Sequence, residues 1–188
     1  VNVADRASTK GMIDATVKAF GKLDVIFNNA GISQTCHFMD VTEADWHRIM
    51  DVNGLGVLIG TQEAARQMKA QGTGGKIINT ASIAGKQGYP LFAHYCASKF
   101  AVVALTQAAA RALAPDKITV NAFAPGVVRT ELWEQLDREF MDLGLTQKPD
   151  QAINEFSQSI LLGRYSQPED ITGVTTFLAS TASDYMTG

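Results

Sequence analysis

The sequence predicts an α/β fold, a parallel β-sheet covered by helices on both faces. Three observations carry this expectation. Short apolar runs alternate with segments of helical periodicity along all 188 residues, the runs end in loops rich in Asn, Gly or Pro, and no internal repeat or low-complexity stretch intervenes. The length suits one ordinary domain, residues 1–188, with a core of its own.

Val1-Asn2-Val3 reads as the tail of a strand. Asp5 is a plausible N-cap, and Ile13, Val17 and Phe20 recur at helical spacing until Gly21 ends the helix. Leu23 to Phe27 is a short buried strand closed by Asn28-Asn29-Ala30-Gly31. Thr42 with Asp45 forms a capping box for one long helix reaching Ala70, where Gly72, Gly74 and Gly75 stop it. Lys76 to Thr80 is the next strand. Phe92 to Leu113 is a helix with few charges, apolar nearly all round, which implies burial on more than one side and suggests a subunit contact. Ile118 to Phe123 is a strand ended by Pro125-Gly126, and the polar stretch Glu131 to Ser159 reads as mobile helical turns. Ser166 and Glu169 bracket Pro168 as a second capping box, opening a last helix with a stripe of Ile171, Val174 and Leu178. The start at Val1 and the stop at Gly188 predict a partial sequence, with first strands and a last strand outside it.

Composition removes several function classes. A net charge of -3 offers no basic footprint for nucleic acid, and no apolar run approaches the roughly 20 residues of a membrane span. A small-molecule ligand is expected instead. Cys36 and Cys96 lie far apart without CxxC spacing, so no metal site or disulfide is expected, and buried thiols in a reducing cytoplasm fit better.

In such sheets ligands bind beyond the carboxyl ends of the strands. Asn28-Asn29-Ala30-Gly31 combines small residues that admit a close neighbour with Asn side chains able to brace adjacent strands, although alone it could be only a turn. Ser82 puts a hydroxyl at the next strand end, where a helix cap is the competing reading. Tyr95 and Lys99 stand one helical turn apart on one face. A nearby ammonium favours the phenolate, which would bring Tyr95 toward proton transfer at physiological pH.

Asn28-Asn29-Ala30-Gly31, Asn53 in Asp51-Val52-Asn53, Ser82, Tyr95-x-x-x-Lys99 and Pro125-Gly126 stand in an order and spacing that resembles the short-chain dehydrogenase/reductase family across essentially the whole chain. The resemblance implies a Rossmann-like doubly wound sheet and hydride transfer between NAD, or NADP, and a secondary alcohol or ketone. It makes Tyr95 the general acid or base and Lys99 the group that lowers its pKa and holds the nicotinamide ribose. It makes Ser82 the partner of the substrate oxygen, and has Asn53 interrupt its helix and fix a water that relays protons through Lys99. Pro125, Gly126, Val128 and Thr130 match the loop at the carboxamide, and Asn29, Ala30 and Gly31 the loop beside the adenosine. The family's usual Asp at the end of the third strand aligns with Asn2, next to Val3, which places both near the adenine. The glycine-rich phosphate loop and the strand that selects NAD or NADP are expected outside this sequence.

Gly163-Arg164 through Pro168-Glu169-Asp170, Leu132-Trp133-Glu134 and Gly85 to Pro90 look most like acetoin reductases and 2,3-butanediol dehydrogenases, implying small diols, hydroxyketones or polyols. Ile83 and Tyr89 would flank the reacting carbon, or else simply pack the core. His94 reads as a packing or surface residue, and His37 and His47 carry no motif. The family's 3-oxoacyl-carrier-protein reductases share every catalytic motif, but a basic docking patch for their acidic carrier is not evident. A non-catalytic dinucleotide-binding subunit would not need Asn53, Ser82, Tyr95 and Lys99 together. The long helices around Asn53 and Tyr95 match the family's tetramer interface.

Overall fold

Strands form where apolar runs can be buried on both faces, and three do so here. In the computed structural model, which describes residues 1–188, β1 (Val25–Asn28), β2 (Gly75–Thr80) and β3 (Ile118–Phe123) pair in parallel in the order β1-β2-β3. Asn28 lies opposite Asn79, and Thr80 opposite Phe123, so the three carboxyl ends finish at one rim.

Helix α1 (Arg6–Phe20) is capped as expected: the Asp5 carboxylate accepts the Ser8 N–H at 2.8 Å, and Gly21 closes it at φ 85°, a left-handed conformation that glycine adopts without strain. Next come α2 (Glu43–Met50), α3 (Gly56–Gln71) and α4 (Ala93–Leu113). Ile13 of α1, Ala64, Ala65 and Met68 of α3 and Ala110 of α4 close over Ile26, Ile77, Ile118 and Val120, forming the main core on one sheet face. The chain continues through α5 (Glu131–Asp142) and α6 (Gln151–Ser157) to α7 (Pro168–Ala179), which packs on β2, and the turn just after it receives the Lys76 ammonium at Ser183 and Asp184. No helix is long and apolar enough to cross a membrane, and no cluster of His, Cys, Asp and Glu could hold a metal ion.

Several expectations need correction. Val1-Asn2-Val3 is not a strand. It forms a turn in which Asn2 O accepts the Asp5 N–H at 3.1 Å, and it pairs with none of the three strands. Phe20 is 80 % exposed, since α1 runs past the layer that buries Ile13. The helix after Thr42 is not continuous: Asp51–Leu55 is a π-helical turn, with the Gly56 N–H reaching back to Asp51 O, and α3 ends at Gln71. Residues 131–159 hold two ordinary helices, α5 and α6, and the buried Asp137 carboxylate of α5 accepts the N–H groups of Asp150 and Ala152 at the start of α6. The box at the start of α7 is one residue later than expected: Asp170 accepts the Gln167 N–H at 2.8 Å, while Ser166 is drawn away by its N–H and Oγ bonds to Val127 O. Val174 is exposed in the α7 stripe, where Leu178 alone is fully buried.

Candidate active site

The rim is braced from within. Asn28 Nδ2 donates to Asn79 Oδ1 at 2.8 Å, and Asn79 Nδ2 to Thr106 Oγ1 at 2.9 Å, a chain across β1, β2 and α4. One residue further on, Thr80 Oγ1 donates to Asn29 Oδ1 at 2.9 Å. Helix α3 can approach this chain only because residue 60 is glycine: a Cβ there would lie 2.2 Å from Asn28 Oδ1.

Helix α4 begins at the rim and carries Tyr95 and Lys99 on its inward face. The Lys99 ammonium lies 5.6 Å from the Tyr95 ring centre and donates to Thr80 O, at the end of β2, at 2.8 Å. Ser82 is the cap of a short turn and also stands at the rim beside Tyr95. Its Oγ caps the short turn Ile83–Gly85 by accepting the Ala84 N–H at 3.1 Å, and it also faces Tyr95 closely enough to draw the phenol pKa down.

Dehydration dominates the electrostatics. Burial pushes the Tyr95 phenol above its ordinary value, with the Ser82 hydroxyl offsetting part of that shift, and burial pulls Lys99 down to about 8. The expectation that the ammonium sets the direction of the phenol's shift is thus corrected: burial is the larger influence on each group and pushes both toward their neutral forms. A phenol kept protonated is suited to giving a proton to a carbonyl oxygen.

Asn53 is almost fully buried inside the π-helical turn. Its Nδ2 donates to Ile32 O at 2.8 Å and Ser98 Oγ at 3.0 Å, and its Oδ1 accepts the Ile32 N–H at 2.9 Å. Asn53 Oδ1 and Lys99 Nζ lie 3.4 and 3.6 Å from the point where a Gly31 side chain would begin.

Two cavities meet here. One, of about 450 Å³ and mainly apolar, is lined by Ser82, Ile83, Tyr89, Tyr95, Leu132, Trp133 and Phe156, among others. The other is a groove along the strand ends, about 610 Å³, lined by Asn29, Gly31, Lys99, Pro125, Val128 and Thr130 among others. Ser82, Tyr95, Gly126, Leu132 and Trp133 border both. Beside them, Val127 lines the cavity and Val128 the groove, held extended by the bridge between Val128 and Ser166.

A family model described as enoyl-(acyl carrier protein) reductase matches residues 1–188. The L-2,3-butanediol dehydrogenase of Corynebacterium glutamicum is 47 % identical over 189 residues, covering 100 % of this chain and 72 % of that protein. The diacetyl reductase [(S)-acetoin forming] of Staphylococcus epidermidis is 40 % identical over 187 residues, covering 100 % of this chain and 73 % of its own length. The chain belongs to the short-chain dehydrogenase/reductase family. A crystal structure of NAD+-bound xylitol dehydrogenase superposes with a TM-score of 0.90 at 35 % identity, over 99 % of this chain and 73 % of that one. As a short-chain dehydrogenase/reductase, this protein exchanges hydride between NAD(P) and a secondary alcohol or ketone.

The groove fits a nicotinamide dinucleotide. Gly31 leaves open the space between Asn53 and Lys99, Lys99 has N–H groups beyond the one given to Thr80, and the Thr130 hydroxyl makes no bond within its own helix cap. Asn2 and Val3 are not among its lining residues: the Asn2 amide oxygen accepts the Ala4 N–H at 3.1 Å, and Val3 packs against Gly56. Ala30 is exposed between its two lining neighbours. The fully buried His94 is a packing residue, with Nε2 3.4 Å from Gln34 Oε1 and an imidazole that burial keeps neutral by lowering its pKa. Sequence reasoning missed Ser33, Phe92, Leu136 and Phe156 in the cavity wall; the apolar spacing of Leu132, Trp133, Leu136 and Phe140 was the available signal that α5 turns a face inward.

Proposed function

We propose that this enzyme reduces a small diketone or hydroxyketone, and oxidises the corresponding vicinal alcohol, in the cavity bounded by Ser82 and Tyr95. The observation that carries the reading is the placement of those two hydroxyls on the border between an apolar cavity and a groove containing Lys99. The names of the relatives, a butanediol dehydrogenase and a diacetyl reductase, support the substrate class.

NAD, or NADP, supplies or accepts the hydride when bound. Tyr95 donates its phenolic proton to the carbonyl oxygen in reduction and takes it back in oxidation. Ser82 Oγ holds the same oxygen beside the phenol, so that the charge developing there meets two hydroxyls. Lys99 binds the ribose and passes protons to Tyr95, and the gap between Lys99 and Asn53 beside Gly31 suits one relay water. Ile83 and Tyr89 form the apolar wall for a short alkyl group, while Asn29, Gly31, Pro125, Gly126, Val128 and Thr130 hold the dinucleotide. The apolar groove between α3 and α4, with Leu58, Ala65, Leu105 and Leu113 along it, supports assembly into a tetramer, and the free thiols Cys36 and Cys96 suit the cytoplasm.

Assays with diacetyl, acetoin and acetoacetyl thioesters test the substrate class: turnover of the first two is expected, and turnover of the thioesters alone would refute it. Sedimentation that finds only monomer would refute the tetramer.

A further inference from the structure

The loop after β1 does more than border the groove. Residues 32–36 are fastened at one end by Asn53, which bonds both the N–H and the C=O of Ile32, and at the other by the Cys36 N–H, which reaches Leu91 O at 3.0 Å just before α4. Between these anchors the loop turns two backbone groups toward α5. The Thr35 N–H donates to Glu139 Oε2 at 2.7 Å, and Ser33 O accepts from Gln135 Nε2 at 3.4 Å. Gln135 Nε2 also donates to Glu139 Oε1 at 2.7 Å, so one helical turn of α5 presents a braced acceptor and donor to one loop. The same helix supplies Leu132, Trp133 and Leu136 to the cavity wall.

We propose that Glu139, aligned by Gln135, is a positioning residue that sets substrate affinity by clasping α5 against the 32–36 loop. The clasp holds Leu132, Trp133 and Leu136 at the distance at which they enclose a short alkyl group. Because the loop is fastened to Asn53 and to the start of α4, the cavity wall keeps register with Lys99 and Tyr95. A carboxylate is well suited to such a clasp, since a charge-assisted bond to a backbone N–H is stronger than a neutral one, and here it closes a link between residues 104 positions apart. The fold does not hang on it, since α5 is also held by Phe140 against Phe92 and Phe156.

This inference rests on the proposed substrate class only for its kinetic test. The sequence has two tryptophans, so Trp46→Phe leaves Trp133 as the sole reporter in the cavity wall. In that background, Glu139→Ala is expected to raise KM for diacetyl about tenfold, the lower range for a bond to a charged group, while kcat stays within about threefold. Acrylamide quenching of Trp133 fluorescence should rise in parallel. Glu139→Gln should recover most of the KM, because its amide oxygen can still accept the Thr35 N–H. Unchanged KM or unchanged quenching in Glu139→Ala overturns the clasp, as does a Glu139→Gln variant as impaired as the alanine. If the Trp46→Phe parent turns over neither diacetyl nor acetoin, the substrate reading fails by itself, and the quenching comparison, which needs no substrate, still decides the clasp.

Discussion

Replacing Lys99 by Met should stabilise the folded protein at neutral pH while abolishing its turnover. Lys99 is 4 % exposed and finds one protein acceptor, Thr80 O, for the three N–H groups of an ammonium. Burial lowers its pKa from 10.5 to about 8. Below pH 8 both folded and unfolded chains carry the proton, and the folded chain bears the whole cost of the buried charge. Between the two values the folded chain has released its proton while the unfolded chain has not, so stability climbs with pH; above 10.5 neither is charged. The shift corresponds to a cost of about 3 kcal/mol at neutrality. Methionine matches the length of the side chain and removes that cost, but it leaves Thr80 O without its donor, which returns about 1 kcal/mol. The net gain of about 2 kcal/mol should raise Tm by roughly 4–8 °C in a domain of this size. Thermal unfolding followed by circular dichroism at pH 7 and pH 10, without added cofactor, measures it. The advantage of the variant should shrink at the higher pH. A variant less stable than the parent at pH 7, or a difference that does not change with pH, would refute the reasoning.

Tyr95→Phe should cut kcat at least about a hundredfold, the lower range for removing a general acid, with dinucleotide affinity kept; surviving turnover would remove Tyr95 from the chemistry. Because burial raises the Tyr95 pKa, ketone reduction should hold steady through neutrality while alcohol oxidation keeps rising into the alkaline range. Ser82→Ala, which takes away the hydroxyl that lowers that pKa, should move the oxidation limb to still higher pH, and a limb that stays in place would contradict this. Gly60→Ala sets a Cβ against Asn28 Oδ1 and should cost about 1–3 kcal/mol in urea unfolding; a neutral result would mean that the Asn28–Asn79 chain yields easily.

The sequence showed most clearly what local composition decides. The three strands lie within two residues of their expected bounds because each is a continuous apolar run with a breaker behind it, and Asp5 and Gly21 cap α1 through contacts within four residues. What escaped depends on distant partners or on a single inserted residue. The π-helical turn at Asn53 adds one residue to a helix without disturbing its apolar pattern enough to announce itself, and only the family resemblance pointed to an interruption there. Val1-Asn2-Val3 has strand-like composition, but a strand exists only beside another. The candidate residues Asn53, Ser82, Tyr95 and Lys99 stood out by order and spacing; Ser82, Tyr95 and Lys99 line one groove, and Asn53 faces Lys99 across Gly31. The direction of the Tyr95 shift was not legible, since spacing reveals that an ammonium is near but not how strongly burial acts on the phenol. Gln135 and Glu139 look like ordinary solvent-facing residues until the loop from β1 is laid across them.

The extended segment at Val127 and Val128 has a consequence for how this enzyme can diverge. Successive side chains there line two different cavities, so point substitutions would reshape one while leaving the other untouched. A change in length by one residue would instead swap the two sides, turning the side chain that lines the apolar cavity toward the groove. Adaptation along this stretch is therefore free in letter but fixed in count.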